Sequence, residues 1–431
     1  IGKLDVASVE ADDDVKQSDG LVFKPGSYDQ VREILYDKWR LGKPYGMDSR
    51  EFYTDTGLPG TGDEVLRAHM SNPHLTEGQR EFLLKLRQYR RVQTKVLGTQ
   101  LKVMRPMRDG GKVHPDGRVR SNWGSHTTSV GRFSSSGPNM QNQSSRKDLG
   151  GVRSIYCAAP GHVLVGCDLD SAHLVVTANY WKIERLLECF AQGKDPHCWL
   201  AHDIFKEDFE QAAGWGSDGF SLLKARKPDK KKKAGQIREL IKAYRYSSIY
   251  WAEATTKHGL IRATEFTEMR QDENGVDYLH TELPYLKYDL QQVRFFDMIW
   301  HETEPDWMVA WTDMQALYTQ QGYMEDPLFG RRSGSLNAGK KNEVVNFPII
   351  ACEAAVMSTV EQRVRQSFPF QKWGPGTGIV AQVHDSIIVE VPEHLAEWAR
   401  DEMTRCMTLT VPGWPVTFTC EADIGRTWAE V

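Results

Sequence analysis

Two stretches with the composition of buried strands lie far apart in this chain, and their separation limits how it can fold. They are HVLVGCDLD at 162–170 and GIVAQVHDSIIVEV at 378–391. Residues 183–325 lie between them and carry mostly helical patterns, and a helix at about 393–407 and the strand-like PVTFTCEADIG follow. Strands on both sides of a helical stretch predict an α+β fold. Two separated segments would build one domain, and the helices between them would form a subdomain.

The part of the chain before the first strand is predicted to be largely helical. Residues 1–25 include an acidic, poorly patterned stretch, EADDDVKQSDG, which predicts a flexible lead-in. SYDQVREILYDKWRL at 27–41 has helical spacing with its serine as a candidate N-cap, and a second helix with a basic face is predicted from about Thr76 to Val103. HPDGRVRSNWGSHTTSVGRFSS, from His114, has a turn followed by alternation, which predicts short strands or a hairpin.

Composition excludes several broad classes of protein. Of the 431 residues, 40% are hydrophobic and 26% are charged, as in soluble globular proteins. No apolar run approaches the ~18 residues that a membrane span needs, and the start IGKLDVASVE does not resemble a signal peptide. Seven cysteines without a CxxC pair indicate free thiols and a reducing, cytoplasmic compartment. The net charge of −4 gives no overall basic excess for nucleic acid, although a local patch could still bind it.

The second strand stretch is interrupted by two polar residues. His384 and Asp385 stand within a run of residues that strands usually bury. They could form the turn of a β-hairpin, because Asp tolerates turn geometry. Alternatively, the strand could hold a carboxylate against a positive group. Both interpretations are open at this point.

A pair of carboxylates ends the first strand stretch, in CDLDSAH. Asp168 and Asp170 are two residues apart and would face the same side of a strand, where they repel each other unless a cation or base neutralises them. The plain interpretation is a solvated strand end. The functional one is a divalent-metal site that Asp385 completes. Hard oxygen ligands of this kind favour magnesium, with phosphate oxygens and water as further ligands.

One predicted helix, in QIRELIKAYRYSSIYW at 236–251, carries two cations and two aromatic rings on one face. These residues recur every four positions; they are Arg238, Lys242, Tyr246 and Tyr250. An amphipathic surface helix with inward-packed tyrosines would show the same pattern. In the functional interpretation, the cations hold phosphates and the rings stack on a base or sugar. The preceding basic run RKPDKKKK at 226–233 would add to the positive field, although most of it reads as a solvated loop.

Several segments resemble family A DNA polymerases, in the order that this family has them. The spacing Arg-x3-Lys-x3-Tyr-x3-Tyr resembles the fingers helix of the family. Four further segments also resemble it: HTTSVGRFSSSGPNMQNQSSR at 126–146, CDLDSAHL, GKDPH ending at His197, and QVHDSIIVEV. With weaker matches, the resemblance covers nearly the whole chain from about residue 20.

The resemblance implies a right-hand polymerase with an antiparallel-sheet palm, helical fingers and a truncated thumb. Its implied parts are a lead-in or thumb remnant at 1–25, the thumb base and palm-proximal helices at 26–110, the first part of the palm at 111–182, the fingers at 183–325 and the second part of the palm at 326–431. The implied function is template-directed DNA synthesis from a primer with dNTPs, without an exonuclease domain in this chain. An RNA polymerase relative and an inactive nucleic-acid-binding module are the alternative interpretations.

The resemblance also implies roles in catalysis. Two magnesium ions, for which manganese can substitute, would be bridged by Asp168, Asp385 and the backbone carbonyl of Leu169. The side chains implied to contact the triphosphate are those of Arg238, Lys242 and His197.

Other residues are implied to contact the nucleotide and the nucleic acid. Tyr246 would stack on the incoming nucleotide, and Tyr250 would fill the templating pocket. The residues implied to contact the primer or template are Thr128, Arg132, Gln141, Asn142, Asn346 and His384.

The sequence departs from the family at four positions. His173 replaces the usual Glu that presses on the 2′ face of the sugar and excludes ribonucleotides. Because His is also bulky, we expect the preference for deoxynucleotides to survive. Ser386 replaces the Glu after the second aspartate, Trp251 replaces the Gly after the fingers tyrosine, and Ile350 replaces a primer-contacting Gln.

The implied partners are primer-template DNA and dNTPs, with no membrane. A processivity factor or an exonuclease part would come from elsewhere. We expect a monomer in the cytoplasm of a bacterium or a phage-infected host.

Overall fold

The computed structural model describes residues 23–44, 47, 49–70, 72, 74–94, 103–125, 127–143, 151–213, 233–271, 275, 277–285, 288–333, 336 and 341–431. Three sequence predictions lie at least partly outside the described residues. These are the flexible lead-in, of which only 23–25 are described, the last part of the helix predicted to reach Val103, and the lysines at 230–232 of the basic run.

Four strands form an antiparallel sheet at the centre of the fold. The strands of the described residues are β1 (Asn122–Gly124), β2 (Ser134–Ser136), β3 (His162–Leu169), β4 (Phe266–Gln271), β5 (Asp277–Glu282), β6 (Met324–Glu325), β7 (Arg332–Ser333), β8 (Gly378–Val383), β9 (Ser386–Pro392) and β10 (Cys420–Gly425). The central sheet has the order β10-β3-β9-β8, and the remaining strands pair as β1-β2, β4-β5 and β6-β7. Strand β3 therefore lies between strands from the far end of the chain, which confirms the predicted α+β fold assembled from two segments.

Alternation along β3 gives the central sheet two different faces. Val163, Val165 and Cys167 are buried in the main core, and Leu164 packs with a smaller cluster on the opposite face. Asp168 falls on the face of Leu164 and is exposed. Burying each large apolar side chain contributes about 1.5–3 kcal/mol. A one-residue slip of register would lose this contribution and turn the carboxylate inward.

Helices make up most of the remaining structure. Those of the described residues are α1 (Tyr28–Arg32), α2 (Ser49–Phe52), α3 (Asp63–Met70), α4 (Glu77–Arg91), α5 (Ala172–Tyr180), α6 (Glu184–Ala191), α7 (Pro196–Phe205), α8 (Glu207–Ala213), α9 (Lys233–Ile249), α10 (Ala254–Arg262), α11 (Leu290–Thr303), α12 (Asp306–Gln321), α13 (Lys341–Ser367), α14 (Phe370–Trp373) and α15 (Ala396–Met407). Helices α6 to α12 lie between the two sheet-forming segments in sequence, as the predicted helical subdomain requires.

The N-terminal helices agree with their sequence patterns. Helix α1 continues as a π-helix to Lys38, and the predicted Ser27 cap is confirmed by the hydrogen bond that its hydroxyl accepts from the Gln30 amide. Helix α4 begins after Thr76, which forms a reciprocal capping pair with Gln79. The short strands predicted after His114 are confirmed by the pairing of β1 with β2.

The antiparallel hairpin β4-β5 lies inside the stretch that was predicted to be mostly helical, and sequence analysis missed it. It is anchored to the N-terminal helices through Glu265, the residue before β4. The Glu265 carboxylate accepts hydrogen bonds from Arg87 at 2.5 Å and from Arg91 at 2.7 Å.

Helix α13 is the longest helix of the described residues, and it packs against α5, α12 and α15. By length and composition alone it could cross a membrane, contrary to the expectation that no segment would be apolar enough. Most of its apolar window is buried inside the protein, however, which is the position of a core helix.

Candidate active site

The two candidate metal ligands lie close together at one end of the central sheet, Asp168 near the end of β3 and Asp385 in the turn before β9. Asp168 is the penultimate residue of β3, and its register partner on β9 is Ser386. His384 and Asp385 form the turn between β8 and β9, with His384 in the left-handed conformation (φ 56°) that two-residue hairpin turns favour. The backbone carbonyl of Asp385 accepts a hydrogen bond from the Leu169 amide at 3.0 Å. The turn interpretation is therefore confirmed, and the turn places Asp385 beside the end of β3.

The charges around Asp385 favour a bound cation. Burial, followed by the negative charges of Glu353 and Asp168, raises the pKa of Asp385 to about 6. A divalent cation would relieve this repulsion, so the donor set fits magnesium. Among the described residues, His, Cys, Asp and Glu side chains form no cluster of three that could hold a metal. Backbone, phosphate or water oxygens would therefore have to complete the coordination shell.

The two cations of α9 differ in their contacts. The Arg238 guanidinium is 7% exposed and donates to the Asp195 carboxylate at 2.7 Å and 3.2 Å. Burial alone would lower its pKa, but the hydrogen bonds and charge of Asp195 raise it. Lys242 is half-buried, and no side chain in the described part of the chain forms an ion pair or hydrogen bond with its ammonium group. An incoming phosphate could therefore contact Lys242 directly but would compete with Asp195 for Arg238.

Tyr246 of α9 and Tyr250, which directly follows this helix, lie next to His173. The Tyr246 ring lies 6.1 Å from the His173 ring and 5.5 Å from the His197 ring. Burial raises the pKa of Tyr246 to about 12, with a further contribution from the charge of Asp385. The Tyr250 hydroxyl and His173 Nδ1 are in close hydrogen-bonding contact. Helix α9 therefore meets the sheet next to the paired aspartates.

His197 is more enclosed than a phosphate ligand would be expected to be. It is 1% exposed, and its Nδ1 has no hydrogen-bond partner in the described structure. Burial holds the pKa of His197 well below its usual value, so the ring is neutral. Its contact with a triphosphate stays a prediction.

Sequence analysis missed Glu353, a buried carboxylate on α13. Its Oε2 accepts hydrogen bonds from Arg132 Nε at 2.8 Å and from Arg132 Nη2, and it lies 3.1 Å from His173 Nε2. Burial alone would raise its pKa, but His173 and Arg132 hold the pKa below its usual value. In the sequence, Glu353 could be noticed as a single acid in the apolar run NFPIIACEAAV. This pattern does not show which residues pair with it.

Four of the residues implied to contact nucleic acid come before β3 in the sequence. They are Thr128, Arg132, Gln141 and Asn142. The Thr128 hydroxyl donates to the Arg132 carbonyl at 2.7 Å, which stabilises the turn before the arginine. Gln141 and Asn142 belong to the 3₁₀ helix Met140–Asn142, and the Gln141 amide donates to the Gln382 carbonyl of β8 at 3.1 Å.

Two further predicted residues occupy different surroundings. Asn346 lies on α13 with its buried Oδ1 lacking a partner among the described residues, and His384 is exposed in its turn. Their contacts with nucleic acid stay predictions.

The contacts of Trp251 explain how this residue is tolerated where the family has glycine. It has the left-handed conformation (φ 57°) that glycine adopts most easily. Its ring stacks on Trp311 with centroids 5.0 Å apart and an angle of 10°, and the Lys341 ammonium lies 4.9 Å from its centroid. These contacts offset a backbone cost of about 1–2 kcal/mol.

The antiparallel sheet with paired aspartates, faced by a helical subdomain, defines a right-hand polymerase. The family model of DNA polymerase family A matches residues 3–214 of the chain. The DNA polymerase I of Pseudomonas aeruginosa is 26% identical over 426 residues, which is 95% of this chain and 39% of that protein. The thermostable DNA polymerase I of Thermus filiformis is 25% identical over 439 residues, which is 99% of this chain and 45% of that protein. The chain thus spans less than half the length of these relatives.

A solved structure supports the fold. It is the POL domain of Pol1 from M. smegmatis in complex with DNA primer-template and dNTP, which matches with a TM-score of 0.70. The match covers 95% of this chain and 62% of that chain at 20% sequence identity. The likeness therefore shows the fold of a DNA polymerase domain.

Proposed function

We propose that this chain catalyses template-directed DNA synthesis, in which a primer 3′-hydroxyl attacks a dNTP and pyrophosphate leaves. The observation that carries the proposal is the position of Asp168 near the end of β3 and of Asp385 in the adjacent turn before β9, beside the face of α9 that carries Lys242 and Tyr246. Similarity to DNA polymerase family A and to bacterial DNA polymerase I supports the same reaction.

Asp168, Asp385 and the Leu169 carbonyl would hold the two magnesium ions, with manganese as a substitute. When bound, such ions lower the pKa of the attacking hydroxyl and neutralise the charge of the triphosphate and of the leaving pyrophosphate. The raised pKa of Asp385 supports this assignment, because the site carries more negative charge than its protein surroundings compensate.

Lys242 would bind the triphosphate, because its ammonium has no competing partner among the described side chains. Arg238 would assist once the nucleotide displaces it from Asp195, and His197 would contact the outer phosphates if α9 moves. The Tyr246 ring would stack on the incoming nucleotide, and Tyr250 would border the templating position.

Primer-template DNA and dNTPs are the proposed ligands, because a solved structure of the same fold is a complex with both. Arg132, His384, Thr128, Gln141, Asn142 and Asn346 would contact the nucleic acid. We place the chain in the cytoplasm, since its relatives include bacterial DNA polymerase I proteins. An exonuclease or processivity factor, if used, would come from outside the described residues.

Primer extension on a defined template tests the proposal. We expect the chain to extend a paired primer with the four dNTPs and magnesium, and to stop when a chelator removes the metal. Extension only with rNTPs would identify an RNA-synthesising relative. Binding of primer-template without extension, in magnesium or manganese, would identify an inactive binding module.

His173 is the proposed sugar gate, and its removal should relax sugar selection. We expect His173→Ala to raise the efficiency of rNTP relative to dNTP incorporation at least about tenfold, which corresponds to about 1.4 kcal/mol, because the space beside the sugar 2′ carbon opens. The measurement is kcat/KM for a dNTP and the matching rNTP. His394→Ala, at an exposed position away from the site, serves as the control. An unchanged ratio would refute the gate.

A further inference from the structure

Glu353 contacts two residues that the proposed function assigns to different substrates. It lies in the middle of α13 and is 1% exposed. One of its oxygens, Oε2, is shared by Arg132, the proposed primer contact, and His173, the proposed sugar gate. Arg132 Nη2 also lies 3.1 Å from His173 Nε2, so the three side chains form one compact group.

Packing alone gives no reason for a carboxylate at position 353, because its surroundings on α13 are apolar. The neighbouring residues of α13 are buried and apolar; they are Cys352, Ala354, Ala355 and Val356. Placing a carboxylate among them is costly unless hydrogen bonds and opposite charge compensate it. Arg132 and His173 supply this compensation, and in return the carboxylate restricts where both of them can lie.

Both ring nitrogens of His173 are held. Nε2 lies 3.1 Å from Glu353 Oε2, and Nδ1 is within hydrogen-bonding distance of the Tyr250 hydroxyl. We assign the proton to Nε2, because the carboxylate can only accept and Arg132 Nη2, which also lies near Nε2, already donates to Glu353. In the neutral ring, Nδ1 would then accept from the Tyr250 hydroxyl. One contact comes from α13 and the other from Tyr250, the residue directly after α9, so the ring cannot rotate without breaking one of them. The ring therefore presents a constant surface next to the paired aspartates.

We propose that Glu353 is a positioning residue for sugar selection, which holds the His173 ring and Arg132 in the arrangement that excludes ribonucleotides. The proposal rests on the proposed function. Glu353 acts through His173 and is not expected to touch the nucleotide. The role depends on the pairing of the histidine at the gate with an acid on a separate helix.

Two substitutions test whether Glu353 acts on sugar selection through His173. Glu353→Gln keeps the size of the side chain but removes the charge that holds both partners. We expect it to raise the rNTP-to-dNTP ratio of kcat/KM at least about fivefold, chiefly through a lower KM for the rNTP. In a chain that already carries His173→Ala, adding Glu353→Gln should hardly change this ratio. The double variant should therefore have the same ratio as His173→Ala alone.

A matched control lies on the same helix. Glu361 is also buried, and it pairs with Arg365 at 2.6 Å. It is eight residues further along α13, about 12 Å at the helical rise. Glu361→Gln should leave the ratio unchanged. If Glu353→Gln lowers dNTP and rNTP incorporation equally, or leaves the ratio unchanged while the protein is folded, the proposal is wrong.

A spectroscopic measurement tests the positioning without catalysis. The ¹⁵N shifts of the His173 ring, assigned by comparison with His173→Ala, should show a proton on Nε2 and none on Nδ1 in the unaltered chain. Glu353→Gln should produce exchange between the two tautomers. A proton on Nδ1 in the unaltered chain would overturn the proposal even if the variants fail to fold. Failure of the unaltered chain to extend any primer would instead overturn the proposed function, and the ring measurement would still report on Glu353.

Discussion

Asp385→Ala should reduce primer extension on the order of a thousandfold, or about 4 kcal/mol of transition-state stabilisation. Asp385 is one of only two carboxylates proposed to hold the metal ions, and no third acid of the described residues completes a cluster that could replace it. Binding of primer-template should persist, because removing a negative charge beside the phosphates does not weaken an electrostatic contact.

The experiment measures the rate of single-nucleotide incorporation together with the affinity for a fluorescent primer-template. Asp423→Ala is the matched control, since Asp423 is an exposed carboxylate on β10 of the same sheet and its register partner is Gly166. Extension by Asp385→Ala within tenfold of the unaltered chain would contradict the metal assignment. An equal loss of binding and extension would indicate a structural role instead.

The paired aspartates could be located from the sequence because strands have a short period. A carboxylate that interrupts a buried strand must face the open side or a turn, and the alternation of β3 and the turn before β9 place Asp168 and Asp385 accordingly. The same reasoning predicts that the two apolar stretches share a domain, since both need partners for their backbone groups. The antiparallel arrangement of the sheet was implied only by the resemblance to polymerases.

Contacts between distant segments could not be predicted in this way. Glu353 appears in the sequence as one acid in an apolar helix, and only tertiary packing brings it to Arg132 and His173. Similarly, the spacing on α9 predicts a cation at Arg238 but not its ion pair with Asp195. The hairpin β4-β5 was missed because its strands are short and rich in polar residues.

Two departures from the family pattern have structural partners elsewhere in the chain. The histidine at position 173 is accompanied by Glu353, and Trp251 is accompanied by Trp311, on which its ring stacks. Without Glu353, the His173 ring would be held less firmly. Without Trp311, the left-handed backbone at Trp251 would be strained with no compensating contact. The partners indicate that these substitutions are accommodated by the fold, so they do not argue against an active polymerase.

Replacing Glu304 should destabilise the helical subdomain more than any surface substitution. Glu304 and Arg245 are both 1% exposed and form a close ion pair between the end of α11 and helix α9. The Glu304 Oε2 also accepts hydrogen bonds from the indole nitrogens of Trp300 at 2.8 Å and Trp307 at 2.7 Å. Glu304→Leu would leave a buried guanidinium without its counter-charge and two indole donors without an acceptor, at a cost of about 3–5 kcal/mol.

Urea unfolding followed by tryptophan fluorescence measures this loss, since two of the affected groups are indoles. Glu302→Leu, at an exposed position on the same helix, should change the free energy of unfolding by less than about 0.5 kcal/mol. The double variant Arg245→Leu with Glu304→Leu should be more stable than Glu304→Leu alone, because it removes the uncompensated charge together with its partner. A double variant that is less stable than the single one would show that Arg245 stabilises the subdomain through its hydrogen bond to the Pro196 carbonyl, at 2.5 Å, and not mainly through Glu304.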